Sequence, residues 1–124
     1  MCKVLMSIKP EYVDEILAGR KKYEYRKIKA KRSNVDKIIV YCTSPVMKVV
    51  AEIEVLDIME NKPEIIWKKT KNYAGISKKK YDKYFENKDI AFAYKLGNVI
   101  KYNEAKKLEE LGISYVPQSF AYVD

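Results

Sequence analysis

The sequence predicts an α+β domain in which short helices pack around a mixed or antiparallel β-sheet or barrel. Several segments alternate apolar and polar side chains with the period of two that half-buried strands show. The helical segments come singly between strands and do not alternate with them regularly, which disfavours an α/β fold. The four glycines match neither GxGxxG nor GxxxxGK[ST], so a doubly wound nucleotide-binding fold is disfavoured as well.

The N-terminal elements are marked by punctuating residues. Pro10 suits the first turn of a helix, and Gly19 supplies the left-handed position that ends one. Tyr23 and Tyr25 then share one face of a strand, opposite a polar face. The predicted elements in chain order are strand 3–8, helix 10–17, strand 22–26, exposed and mobile loop 27–36, strands 37–43 and 48–58, helix 63–69, a helix after Ser77, strand 90–102, helix 103–111 and an extended tail from Pro117.

The central strands have contrasting patterns. Residues 37–43 are apolar on both faces, as in a strand that is covered on both sides, whereas residues 48–58 alternate and predict a half-solvated strand. We expect these two strands to form a hairpin. Further on, Gly97-Asn98 permits either a bulge in one long strand or a turn between two strands, and Gly112 is placed to end the last helix.

The helix after Ser77 has the clearest local signals. Ser77 is placed to cap it, and Ile76 is placed to pack on Tyr81 as a hydrophobic staple. Tyr81, Tyr84 and Phe85 share one face, so we expect packing from them rather than stacking on a ligand. The lysines of residues 78–83 then cover the outer surface, either as a solvated face or as part of a phosphate-binding surface.

Composition narrows the classes of function. Lysine and arginine exceed aspartate and glutamate by 25 to 17, and the resulting net charge of +8 favours polyanionic partners such as nucleic acid. Histidine is absent, which excludes Ser-His-Asp and Cys-His triads and the usual zinc sites, so we expect no metal and no cofactor. Only Cys2 and Cys42 are present, which indicates free thiols in a reducing compartment.

The length of 124 residues predicts a single domain over residues 1–124. No apolar run approaches the roughly 20 residues that span a bilayer, so we expect a cytoplasmic protein without a membrane partner. A protein partner is compatible with the sequence. The sequence also leaves the oligomeric state open.

The most distinctive segment is residues 19–26, which match the pattern GxKxxExR at Gly19, Lys21, Glu24 and Arg26. With this segment the chain resembles the ASCH family, and the surroundings extend the resemblance over residues 7–10, 16–17, 40–45, 75–77 and 117–120. The resemblance implies a PUA-like β-barrel with a basic cleft beside residues 19–26 that binds RNA or a nucleotide-like ligand.

The same resemblance implies a set of further ligand-binding residues around the segment. Tyr41, next to the turn that follows its strand, is in addition a candidate for stacking on a base. The candidate binding residues are Lys9, Lys21, Glu24, Arg26, Tyr41, Thr43, Ser44, Gln118 and Ser119.

The chemistry of the segment supports a ligand site without the family. Glu24 and Arg26 share one strand face at about 6–7 Å, close enough to pair with each other or to hold one ligand jointly. Lys21 lies at the preceding turn, where its ammonium can reach a phosphate. A carboxylate that accepts from a base amino group, between two cations on phosphate, would read a nucleotide. The plainer alternative is an ordinary ion pair beside a solvated lysine.

Two other functions stay open. Some members of the family hydrolyse an acylated cytidine or RNA, and Lys21 and Glu24 would then be catalytic, with the pKa of Lys21 lowered by Arg20 and Lys22. This chain departs from the amidohydrolase branch, which has threonine in place of Glu24 and a glutamate near residues 72–75. The third function is that of a transcription-associated adaptor, because related domains occur in such proteins.

Overall fold

The structure, a computed structural model, describes residues 2–31, 34–117 and 120–123. It has the predicted α+β class, with helices packed on one mixed sheet. The main elements are β1 (Cys2–Ile8), α1 (Pro10–Leu17), β2 (Tyr23–Arg26), β3 (Val35–Cys42), β4 (Lys48–Asn61), α2 (Pro63–Thr70), α3 (Lys78–Tyr84), β5 (Ala91–Lys106) and β6 (Phe120–Val123). Short 3-10 turns at Lys71–Tyr73 and Leu108–Leu111 complete it.

The sheet has the strand order β2-β5-β4-β3-β1-β6. β1 runs parallel to β3, and the other neighbouring strands are antiparallel. The predicted hairpin of β3 and β4 is confirmed. Both faces of β1 and β3 are covered, because successive side chains point to opposite faces and each face meets its own apolar cluster.

Three apolar clusters hold the elements together. The largest includes α1 and one face of the central strands, the second joins α2 and α3 to β2 and β5, and the third lies on the opposite sheet face. Fully buried members of these clusters are Val4, Met6, Ile38 and Ile53 in the first, Ile66 and Tyr81 in the second, and Leu5 and Val49 in the third.

β5 is one long strand with a bulge, which was one of the two predicted forms. Between the pairs Val55–Leu96 and Ile53–Val99, β5 has one residue more than β4. The Glu54 carboxylate accepts a hydrogen bond from the Asn98 backbone N–H at 3.3 Å, which satisfies one of the groups that the bulge frees.

The predicted helix over residues 103–111 is wrong. β5 continues to Lys106, which pairs with Val49 of β4, and only a 3-10 turn follows. Tertiary pairing with β4 overrides the local helical preference of this segment. Gly112 then adopts the predicted left-handed backbone, and the Ile113 N–H donates to the Leu108 carbonyl at 3.1 Å.

The segment predicted as an exposed loop, residues 27–36, is anchored at two points. The Ala30 side chain is buried, and its N–H donates to the Tyr94 hydroxyl at 3.0 Å. Val35 is buried and already belongs to β3.

The described ranges contain no helix with the length and apolarity that a membrane span requires.

Candidate functional site

A cleft of about 640 Å³ opens between α1, β2 and α3, beside the end of β1. This volume lies in the range of small-molecule and cofactor sites. Six cationic side chains and two carboxylates line it, so it is electropositive. The lining residues are Ser7, Ile8, Lys9, Glu11, Tyr12, Lys21, Glu24, Tyr25, Arg26, Ile76, Ser77, Lys79, Lys80, Lys83 and Tyr84.

Lys21 lies in this cleft and is only 3% exposed. Its ammonium donates to the Ala74 carbonyl at 2.8 Å and lies over the rings of Tyr25 and Tyr12, 4.7 and 5.3 Å from their centroids. It forms no ion pair with any residue that the structure describes. Burial lowers the pKa of Lys21, which the nearby Glu24 carboxylate opposes and Arg26 reinforces.

The segment around Gly75 fixes the position of Lys21. Gly75 has φ +64°, and a Cβ there would overlap the Cβ of Lys21. Next to the contact between Gly75 and Lys21, the Lys22 backbone N–H donates to the Tyr73 carbonyl at 2.8 Å. This hydrogen bond joins the two segments. The start of β2 and residues 73–75 therefore form one packed unit.

Glu24 and Arg26 pair with each other, as their spacing allows. The Glu24 Oε2 and the Arg26 Nη2 lie 3.0 Å apart, and the same Nη2 donates to the Ser7 carbonyl at 2.8 Å. The two residues are 7% and 8% exposed. They are therefore not an ordinary surface ion pair, since both charges are removed from bulk water.

An aromatic cluster packs around Tyr25, which lines the cleft. The Thr70 hydroxyl donates to the Ile66 carbonyl, so the Tyr25 hydroxyl must donate to Thr70, at 2.7 Å. Burial raises the pKa of Tyr25 to about 12. The Tyr25 ring meets Tyr81 edge-on at 5.0 Å, and Trp67 lies 4.7 Å from Tyr81. The packing role predicted for Tyr25 and Tyr81 is confirmed.

α3 forms the cationic wall of the cleft. Ser77 caps this helix as predicted, its hydroxyl accepting from the Lys80 N–H at 3.2 Å. Lys79, Lys80 and Lys83 line the cleft, and Tyr84 does so as well while its ring packs on Phe85. Part of the lysine surface described from the sequence therefore belongs to the cleft.

The structure brings together four of the predicted binding residues, Lys9, Lys21, Glu24 and Arg26. Thr43 and Ser44 do not line the cleft, although the Thr43 N–H donates to the carbonyl of the lining residue Ile8 at 3.1 Å. Gln118 and Ser119 lie outside the described residues.

Tyr41 is placed away from the cleft. Its side chain is buried in the third apolar cluster with Leu5 and Val49 and does not line the cleft, so its stacking role stays a prediction that this placement does not favour. Tyr12 and Glu11 of α1 also line the cleft, although they are not among the predicted binding residues. Their proximity to the GxKxxExR segment depends on how α1 packs, and no local pattern indicates it.

The expected cause of the lowered Lys21 pKa also needs correction. Arg20 pairs with Glu15, and the Lys22 ammonium lies over the Tyr73 ring at 4.5 Å. Burial is the main cause instead. No cluster of cysteines and carboxylates in the described ranges is arranged to hold a metal ion.

Several curated relatives are much longer than this chain. Large ribosomal subunit protein uL22 of Ureaplasma parvum is 36% identical over 91 residues, which are 73% of this chain and 29% of that protein. ATP synthase subunit alpha of the same species is 31% identical over 121 residues, 97% of this chain and 15% of that protein. The chain thus spans less than a third of the length of these relatives.

Solved structures share the fold. ASCH from Zymomonas mobilis superposes with a TM-score of 0.89 at 24% identity, over 98% of this chain and 87% of that one. The N-terminal domain of Staphylothermus marinus McrB superposes with a TM-score of 0.54 at 16% identity, over 88% and 78% of the two chains. The ASCH domain family itself matches residues 6–109. The chain therefore belongs to the ASCH domain family and has its PUA-like fold.

Proposed function

We propose that this domain binds single-stranded RNA or a nucleotide in the cleft between α1, β2 and α3. The observation that carries the proposal is the Lys21 ammonium, which is buried in an electropositive cleft and has one hydrogen-bond acceptor from the described protein. An ammonium has three donors, and its burial is costly unless acceptors replace the lost water. A phosphate or carbonyl oxygen of a ligand would supply such an acceptor.

The other lining residues suit the parts of a nucleotide. Glu24 accepts hydrogen bonds only, so a base amino group is a suitable donor for it. Tyr12 and Tyr84 line the cleft as well, but the ammonium groups of Lys21 and Lys27 lie over their rings, 5.3 and 4.5 Å from the centroids. A base that stacks there would have to use the opposite ring face or displace the lysine. The lysines of α3 can contact phosphates along the strand. A neutral or cationic ligand would leave these positive charges uncompensated.

The curated relatives do not supply the function by name. A ribosomal protein and an ATP synthase subunit both resemble this chain, in matches that cover only 29% and 15% of their lengths. Their names describe different activities, so the shared region cannot carry both. The proposal is therefore based on the chemistry of the cleft.

Replacing Lys21 with methionine is expected to weaken RNA binding about 10- to 100-fold, because a charge-assisted hydrogen bond is lost. Methionine has a similar length and no charge, so it can fill the same space. Fluorescence anisotropy of a labelled single-stranded RNA, measured over a salt series, gives the affinity. Circular dichroism and thermal unfolding check that the variant is folded.

Lys101→Ala is the matched control. Lys101 is an exposed lysine on β5 that does not line the cleft, so its loss should change affinity only as a distant surface charge does. If both variants bind like the wild type, the cleft is not the RNA site. If the wild type shows no salt-dependent association at low ionic strength, the domain does not bind RNA.

RNA hydrolysis is a second candidate, favoured by the lowered pKa of Lys21. The neutral amine is the form that acts as a nucleophile or general base, and a lowered pKa makes it available below the ordinary value of 10.5. Cleavage of end-labelled RNA should then increase with pH until Lys21 is neutral, and Lys21→Met should abolish it. RNA and acetylcytidine that both stay intact with the wild-type protein would exclude this function.

A further inference from the structure

One ion pair crosses the mouth of the cleft. The Glu11 Oε2 of α1 and the Lys80 Nζ of α3 lie 3.1 Å apart, although the residues are 69 positions apart in sequence. Both residues line the cleft, and both also line a neighbouring pocket of about 390 Å³. The pair therefore stands on the ridge between two cavities.

This ion pair differs from the buried pair inside the cleft. The side chains of Lys80 and Glu11 are 61% and 54% exposed, whereas those of Arg26 and Glu24 are nearly enclosed. An exposed ion pair contributes little to stability, because water solvates the separated charges well. Lys80 can therefore exchange its partner at small cost, and the ion pair is not needed to hold α1 against α3.

We propose that Lys80 binds a phosphate of the RNA at the mouth of the cleft, and that Glu11 pairs with Lys80 in the free protein until the phosphate displaces it. The inference rests on the proposed function, since it assigns a contact to the same ligand. Carboxylate and phosphate oxygens are alternative acceptors for one ammonium. Glu11 competes with the phosphate for Lys80, so it weakens binding.

Displacement of Glu11 has a geometric consequence. The same ridge separates the cleft from the pocket that Arg20 and Gly75 line. An open ion pair would remove two of the side chains that line both cavities; Tyr12, Ile76 and Ser77 are the others.

Glu11→Gln is expected to tighten binding of the labelled single-stranded RNA about two- to fivefold, the range that an exposed ion pair allows. Asp82→Asn is the matched control. It makes the same change in net charge and releases Lys78, 2.6 Å away on the same helix, but neither residue lines the cleft. Its effect should be clearly smaller than that of Glu11→Gln.

The double variant Glu11→Gln/Lys80→Ala completes the test by anisotropy. The gain from Glu11→Gln should disappear in the Lys80→Ala background, because the released lysine is its cause. Equal gains in Glu11→Gln and Asp82→Asn, or a gain that persists without Lys80, would overturn this inference and leave the proposed function intact. Absence of RNA binding in every variant would overturn both.

Discussion

Glu24→Ala should destabilise the domain by about 3–5 kcal/mol, the usual cost of removing one partner of a buried ion pair. The substitution leaves the Arg26 guanidinium 3.0 Å from an empty position, with both residues less than a tenth exposed. The Arg26 hydrogen bond to Ser7 offsets part of this loss, so the lower end of the range is expected. Urea unfolding followed by circular dichroism measures the change in the free energy of unfolding.

Glu52→Ala is the matched control for this prediction. Glu52 also pairs with a cation, Lys37 at 2.9 Å, but their side chains are 22% and 33% exposed and lie outside the cleft. Its loss should shift the urea midpoint far less. Glu24→Leu combined with Arg26→Leu should recover stability relative to Glu24→Ala, because apolar replacement removes both desolvated charges. Equal midpoints for Glu24→Ala and Glu52→Ala would show that water reaches the buried pair.

The sequence predicts those parts of the fold that local chemistry determines. The cap at Ser77 and the irregularity at Gly97-Asn98 depend on neighbouring residues. The cap is found as expected, and Gly97-Asn98 forms the bulge, one of the two forms that the sequence left open. The helix over residues 103–111 was wrong because pairing with β4 is a long-range interaction. Local helix preference in this segment is strong enough to indicate a helix but too weak to compete with a strand neighbour.

In the candidate site, too, the sequence predicts what local spacing determines and not what long-range contacts determine. The spacing of Lys21, Glu24 and Arg26 places three charged groups together, and in the structure all three line the cleft while Glu24 and Arg26 pair. Their burial depends on Ala74 and Ser7, which contact them from distant segments, so no pattern in residues 19–26 indicates it.

Tyr41 shows what an apolar pattern leaves open. Its strand is apolar on both faces, so the pattern alone leaves open which face the side chain joins. The pairing of β3 with β1 and β4 decides this, and it places Tyr41 in the third apolar cluster. Proximity in sequence to a candidate turn therefore supports a binding role only weakly. Alternation on a half-buried strand is stronger support, because it indicates the face on which a side chain lies.

Gly75→Ala should both destabilise the domain and impair RNA binding. A side chain at φ +64° costs about 1–2 kcal/mol, and here the new Cβ would also overlap the Cβ of Lys21, so the total loss should exceed that value. Lys21 must then move away from the Ala74 carbonyl that accepts its hydrogen bond, which changes the direction of its ammonium. Urea unfolding and RNA anisotropy measure the two effects separately.

Gly19→Ala separates backbone strain from the contact with Lys21. Gly19 has φ +79°, and its added Cβ would meet nothing within 4 Å. This variant should lose only about 1–2 kcal/mol, the cost of the left-handed backbone, and should bind RNA like the wild type. Equal losses of stability in the two glycine variants would mean that Lys21 shifts without cost. If folded Gly75→Ala binds RNA normally, residues 73–75 are not needed to position the Lys21 ammonium. The RNA itself would then orient the ammonium on binding.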